Sequence, residues 1–176
     1  MRFWYGGGGH TWYLAREGFD CYGFDGAPSA VRRVEEKLKK ENLSAHLQCC
    51  TGQEVSYPDD FFDAIIDSAC IYANGLNDIE LMYRKCLSFL KLGGKIITTA
   101  FGKNTSGYGG GRQLEEDTYT DMTEGNLRNR GTAHFYTKES LTYLIEKIGF
   151  KNVKCGVDLY TGNDSVVELL ICQAEK

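Results

Sequence analysis

Two hydrophobic periods take turns along the chain. Short apolar runs of strand length are separated by stretches in which apolar residues recur every three or four positions. Phe3-Trp4-Tyr5, Cys21 to Asp25, Ala45 to Cys50, Phe61 to Asp67, Lys95 to Phe101, Val153 to Tyr160 and Val166 to Cys172 read as strands. His10 to Arg16, Ser29 to Lys40, Asp78 to Leu90 and Thr137 to Ile148 read as helices. In the second helix Ala30, Val31, Val34 and Leu38 form the buried stripe, and seven charged residues form a solvated face. Pro28 suits its first turn, while Gly18 and Gly149 suit the ends of the first and last helices. Phe61 to Asp67 is almost continuously apolar, as expected of a parallel strand buried on both faces. Strands alternating with helices predict an α/β fold with a parallel sheet covered on both faces. Thr161-Gly162-Asn163-Asp164 predicts a tight turn that makes the last two strands an antiparallel hairpin.

One stretch breaks the pattern. Residues 103–135 are polar and Gly-rich, with weak periodicity and few large apolar side chains, among them Leu114, Tyr119, Met122 and Leu127. Structureless connections beyond about 12–15 residues are usually functional lids or disordered. Gly107 and Gly109 to Gly111 permit a hinge, so the stretch is expected to be a flap or insertion on the substrate side of a single domain spanning 1–176.

Charge and cysteine content narrow the classes. With 20 basic and 24 acidic residues the net charge is −4, which does not describe a basic nucleic-acid binder. No apolar run reaches the roughly 18 residues of a membrane-spanning helix. The seven cysteines, at 21, 49, 50, 70, 86, 155 and 172, show no zinc-binding spacing. All seven read as reduced thiols of a cytoplasmic protein, and no metal site is expected.

The candidate chemistry begins at Gly6-Gly7-Gly8-Gly9, between the first strand and the first helix. A turn without Cβ atoms admits a ligand against the backbone, and the helix behind it offers free N–H groups. Asp25 ends the second strand, 17 positions beyond Gly8. A carboxylate there can accept from two neighbouring ribose hydroxyls. The pair reads as a site for an adenosine-type cofactor. The glycine spacing leaves a nicotinamide-dependent oxidoreductase open beside other readings.

The chain resembles the class I S-adenosylmethionine-dependent methyltransferases. The resemblance runs through Gly6-Gly7-Gly8-Gly9-His10-Thr11-Trp12-Tyr13-Leu14-Ala15 and Tyr22-Gly23-Phe24-Asp25. It continues in Pro58-Asp59-Asp60-Phe61-Phe62-Asp63-Ala64-Ile65 and Leu90-Lys91-Leu92-Gly93-Gly94-Lys95-Ile96, and closes with His134-Phe135-Tyr136-Thr137 and Gly149-Phe150. It implies a three-layer Rossmann-like sandwich whose seven-stranded sheet is mostly parallel with an antiparallel closing strand. It implies binding of S-adenosyl-L-methionine, release of S-adenosyl-L-homocysteine, and a small-molecule methyl acceptor. By the same resemblance Gly6, Gly8 and His10 would border the cofactor, and Asp25 and Gly26 would meet its ribose. Thr51, Gly52 and Gln53 would border the adenine, and Ser68, Ala69 and Cys70 the methionine part. His134 and Tyr136 are the candidate catalytic residues, Tyr72 would border the acceptor, and Arg112, Arg128 and Arg130 are candidates for holding an anionic one.

This chain departs from the family pattern in places. Arg2 stands where an acid is usual, Trp4 and Tyr5 where small residues are usual, and Thr51 where the adenine-side acid is usual. The family carries further N-terminal residues over the cofactor, so a shortened chain is the expectation. A methyltransferase-like binding module without catalysis is the alternative.

Overall fold

The computed structural model describes residues 2–3 (backbone only), 9–162 and 165–176. Gly6, Gly7 and Gly8 of the glycine turn, Trp4 and Tyr5, and Asn163-Asp164 of the hairpin turn lie outside the described residues. Strands Arg2–Phe3 (β1), Tyr22–Asp25 (β2), His46–Cys49 (β3), Phe62–Ser68 (β4) and Leu90–Gly102 (β5) stand in the order β3-β2-β1-β4-β5, all parallel. Helices Gly9–Arg16 (α1), Pro28–Lys40 (α2) and Leu76–Phe89 (α3) occupy the crossovers. Pro28 opens α2 as predicted. Helix Lys138–Ile148 (α4) begins at a reciprocal cap, Thr137 and Ser140 each accepting the other's backbone N–H.

Two apolar clusters hold the layers. Val31, Val34 and Leu38 of α2 pack with Trp12 and Ala15 of α1 and with Leu43, Ala45 and Leu47. The larger cluster joins Ile79, Met82 and Cys86 of α3 and Leu141 and Ile145 of α4 to Ile65, Ile96 and Ala100 of the sheet. The period of two is visible on β5, where Ile96 is fully buried and Ile97 is 41% exposed.

The sheet is larger and more mixed than expected. Instead of seven mostly parallel strands it has ten, and it branches at β5. Along one edge of β5 the last strand, Ser165–Glu175 (β10), pairs antiparallel, and Lys151–Gly162 (β9) pairs antiparallel with β10. This is the predicted closing hairpin. On the other edge β4 stops at Ser68 opposite Thr99, and Ala133–Tyr136 (β8) takes over opposite Phe101 and Gly102. Strands Thr118–Thr120 (β7) and Arg112–Glu115 (β6) extend β8 antiparallel. The polar stretch 103–135 thus carries two strands and the start of a third, with Met122 and Leu127 buried.

One cysteine expectation is corrected. Cys155 and Cys172 form a disulfide, so not all seven are reduced thiols. The hairpin register explains the pairing. Ser165 faces Gly162, and seven residues farther along each strand Cys172 faces Cys155. Cys21, Cys49, Cys50, Cys70 and Cys86 are free. No described helix is long and apolar enough to cross a membrane.

Candidate functional site

Backbone N–H and C=O groups at the carboxyl ends of parallel strands have no further ladder partner, and the loops that leave there shape a crevice. Here the loops after β3 and β4 do so. A cavity of about 640 Å³ is lined by Thr51, Gly52 and Gln53 from the first loop and by Ala69, Cys70 and Tyr72 from the second. Phe101, Leu127, Arg130 and Leu169 close its far side. Strand order sets β3 at one end of this space and β10 at the other.

The loop after β3 is a single hydrogen-bonded turn. The Glu54 carboxylate accepts from the N–H and the hydroxyl of Thr51, at 3.0 and 2.9 Å. Those bonds hold Glu54 below the usual carboxylate range. Lys85 of α3 donates to the carbonyls of Gln53 and Val55, fastening the turn to the helix. A Cβ at Gly52 would come within 2.2 Å of Met82 Cε, so any larger residue there would have to displace the end of the Met82 side chain.

The loop after β4 is organised by Asp67, whose side chain is 1% exposed. One oxygen accepts from the N–H groups of Cys70 (2.9 Å) and Ile71 (3.3 Å), and the other from the Thr98 hydroxyl (2.5 Å). Tyr83 donates in turn to Thr98 at 2.9 Å. This ring of bonds holds Ala69 at φ 56°, a left-handed conformation that non-glycine residues adopt at a cost of about 1–3 kcal/mol. Asn74 completes the floor by accepting from Gln53 Nε2 at 3.3 Å, which ties the two loops together.

Asp25 ends β2 one strand beyond β1, and is 2% exposed. Its Oδ1 accepts from the Ala27 N–H at 2.8 Å, shaping the turn through Gly26 into α2. Burial first, then the Asp67 and Asp25 carboxylates, push the Cys70 thiol far up, so Cys70 stays neutral. Burial raises the Tyr72 hydroxyl to about 12, and it too is neutral near pH 7.

The structure thus brings Thr51, Gly52, Gln53, Ala69 and Cys70 around one crevice, while Asp25, at the end of β2, is not among the residues that line it. Ser68 precedes them on β4 without lining the cavity, and His10 is exposed at the start of α1. His134 and Tyr136 are buried and do not line the cavity either. The His134 ring shares a 2.7 Å hydrogen bond with the Thr118 hydroxyl, and the His134 backbone N–H donates to the Tyr72 carbonyl. Burial lowers its pKa below the ordinary value, against the opposing pull of Asp117 and Glu115. The Tyr136 hydroxyl has no hydrogen-bond partner among the described residues, and burial pushes it far up. Asn74, Phe101 and Leu169 carried no sequence signal, because only the fold brings their strands and loops together. Asp67 carried a weak one, an acid ending an apolar strand. A larger cavity of about 810 Å³, between Ser106-Gly107 and Tyr160, is lined by none of the strand-end residues.

Residues 4–94, just over half the chain, match the family model of a methyltransferase domain. The chain belongs to the methyltransferase domain family. Solved structures share the fold of this methyltransferase domain at low identity. A methyltransferase from Methanosarcina mazei, described as SAM-dependent, aligns with TM-score 0.79 and 18% identity over 99% of this chain and 90% of that one. The 1,6-didemethyltoxoflavin-N1-methyltransferase of Burkholderia thailandensis, solved with its substrate and S-adenosylhomocysteine, aligns with TM-score 0.74 and 15% identity over 99% and 69%. Phosphoethanolamine N-methyltransferase 2 of Haemonchus contortus, solved with S-adenosyl-L-methionine, gives 0.76 and 16% over 99% and 47%. No curated protein matches the sequence.

Proposed function

We propose that this domain transfers a methyl group from S-adenosyl-L-methionine to a small-molecule acceptor held in the 640 Å³ cavity. The observation that carries the reading is the crevice itself. The strand-end loops expected to meet the cofactor converge on it, in a chain of the methyltransferase family. The donor set fits. Asp25 offers a buried carboxylate for ribose hydroxyls, Gln53 offers an amide beside the adenine, and the Ala69-Cys70 turn offers a neutral, narrow wall for the methionine part. Small-molecule acceptors bound by structural neighbours support an acceptor of that size.

The bound cofactor supplies an electrophilic methyl on a sulfonium. The chain's own contribution is orientation and exclusion of water, worth several orders of magnitude in rate when two reactants are held in line. The Asp67 ring fixes the floor and the Gln53–Asn74 bond fixes the spacing of the loops. Tyr72 and Phe101, whose ring centroids are 4.9 Å apart edge to face, present an apolar wall toward the acceptor side. The stretch 103–135 forms the substrate-side cover of the domain. Five free thiols favour a reducing, cytoplasmic setting, and the Cys155–Cys172 bond weighs against it.

The test is calorimetry with S-adenosylhomocysteine. A hydrogen bond to a charged group contributes about 1.5–3 kcal/mol, so Asp25→Ala weakens binding by about 10–150-fold. Equal affinity in the folded variant removes Asp25 from the site.

A further inference from the structure

Among the described residues, the cavity walls carry one charge. Thr51, Gln53, Asn74 and Asn126 are its neutral polar groups, Cys70 and Tyr72 stay protonated, and Arg130 is the single cationic side chain among the described lining residues. Among the described residues, no carboxylate lines the cavity to compete for it. We propose that Arg130 receives an anionic group of the methyl acceptor, and that the acceptor is therefore a small organic carboxylate or phosphate with an apolar body.

The placement of Arg130 supports this. It springs from a turn that the fold clamps on both sides. The Asn129 N–H donates to the Met122 carbonyl at 3.1 Å, and the Arg130 N–H to the Leu127 carbonyl at 3.1 Å. Met122 and Leu127 are 1% and 3% exposed, so they pin the turn into the core. Asn129 at φ 56° and Gly131 at φ 83° bend the chain so that the residue between them faces the cavity.

The other candidate cations behave differently. Arg112 pairs with Asp121 at 3.3 Å, away from the cavity, and Arg128 does not line it. The Arg130 side chain makes no hydrogen bond or ion pair among the described residues. Its charge does reach the Tyr72 hydroxyl, which it pulls down against the effect of burial. Beside it stand Tyr72, Phe101, Leu127 and Leu169, an apolar surface that suits the body of the same ligand. A guanidinium binds carboxylate or phosphate through a planar pair of N–H donors. Strand order puts Arg130 among residues of the β5 and β10 side, across the cavity from Thr51 to Gln53.

The inference rests on the proposed function, and the experiment keeps the two apart. Wild type, Arg130→Gln and Arg130→Lys are each saturated with S-adenosylhomocysteine, with its affinity recorded. Benzoate, phenyl phosphate and the neutral isostere benzamide are then titrated by ligand-detected NMR. The expected result is that at least one anion binds wild type about ten-fold tighter than benzamide. Arg130→Gln removes that preference, Arg130→Lys keeps part of it, and cofactor affinity stays within about two-fold across all three. Arg130 is exposed, so the variants retain the fold. Equal binding of anions and benzamide, or an anion preference that survives Arg130→Gln, overturns the inference. So does the absence of binding by any probe at millimolar concentration. A loss of cofactor affinity in Arg130→Gln assigns the arginine to the methionine carboxylate, and also overturns it. Failure of wild type to bind S-adenosylhomocysteine at all sinks the proposed function instead, and the acceptor assignment with it.

Discussion

The cavity has two walls, residues 51–74 on the strand-end side and 101–130 on the other, and the chain secures them by different means. The strand-end wall hangs on buried hydrogen bonds. Asp67 alone accepts three, from Cys70, Ile71 and Thr98. The opposite wall hangs on apolar anchors and on bonds that reach across the sequence. Met122 and Leu127 are buried, and Glu115 on β6 accepts from the Leu76 N–H at 2.6 Å, capping the start of α3. Asn104 donates twice to Glu168 of β10, and a Cβ at Gly125 would strike the Ser106 carbonyl, so that end of the stretch is stitched down as well. The first wall is a local consequence of where parallel strands end. The second is an insertion whose shape depends on distant partners.

The largest effect is expected where the first wall concentrates its bonds. Asp67→Ala takes the acceptor from three donors, Ile71 and Thr98 buried and Cys70 half-buried, at about 1–3 kcal/mol for each left unpaired. It should cost about 3–6 kcal/mol of stability in urea unfolding, and release Ala69 from its left-handed conformation. A loss under about 1 kcal/mol would mean that the ring of bonds is not what shapes the loop. Leu127→Ala tests the second wall. A buried Leu-to-Ala change costs about 2–5 kcal/mol, and the lower half applies where a surface turn can relax into the space. The variant should lose about 3 kcal/mol and bind acceptors, but not S-adenosylhomocysteine, more weakly.

The two walls also differ in how far they could be read from the chain alone. Asp25 was legible because a strand-end acid follows a glycine turn at a fixed distance along the chain. The strand-end loops were legible for the same reason, being local consequences of the α/β alternation. The strands at 112–115, 118–120 and 133–136 were not, because none has an apolar run of its own. They exist because β5 outruns β4 and leaves an edge for β8 to pair with. His134 looked like a base near the active site, and it lies buried against Thr118 without lining the cavity. The disulfide was hidden in the hairpin register rather than in any spacing of cysteines.

A smaller effect follows from Glu115→Ala. Losing a charged cap at a helix N-terminus costs about 1 kcal/mol. The amides of residues 76–79 should exchange hydrogen faster, and those at the far end of α3 should not. Unchanged exchange would show that the insertion leans on α3 without capping it.

The smallest effect is in the pH dependence. Burial depresses the folded His134 pKa below its ordinary 6.5, so the unfolded chain binds more protons as the medium turns acid. The stability from keeping His134 neutral is therefore complete above pH 6.5 and is lost as pH falls through the lower, folded value. Between pH 7.5 and 5.5 the Tm of wild type should fall by about 1–3 °C more than that of His134→Gln. Parallel curves would place the acid sensitivity of this window elsewhere than His134; the Asp117 carboxylate titrates only at lower pH. Lys103 and Tyr108 hold it low, against burial.

The most direct measurement is a two-dimensional amide NMR titration of the whole chain with S-adenosylhomocysteine. The expected result is that the perturbed amides are those of Asp25 to Ala27, Thr51 to Gln53 and Ala69 to Ala73, with Arg130 and its turn moving little until an acceptor is added. Perturbations confined to the 810 Å³ cavity, at Ser106-Gly107 and Tyr160 to Gly162, would contradict this account, and so would a spectrum that does not change.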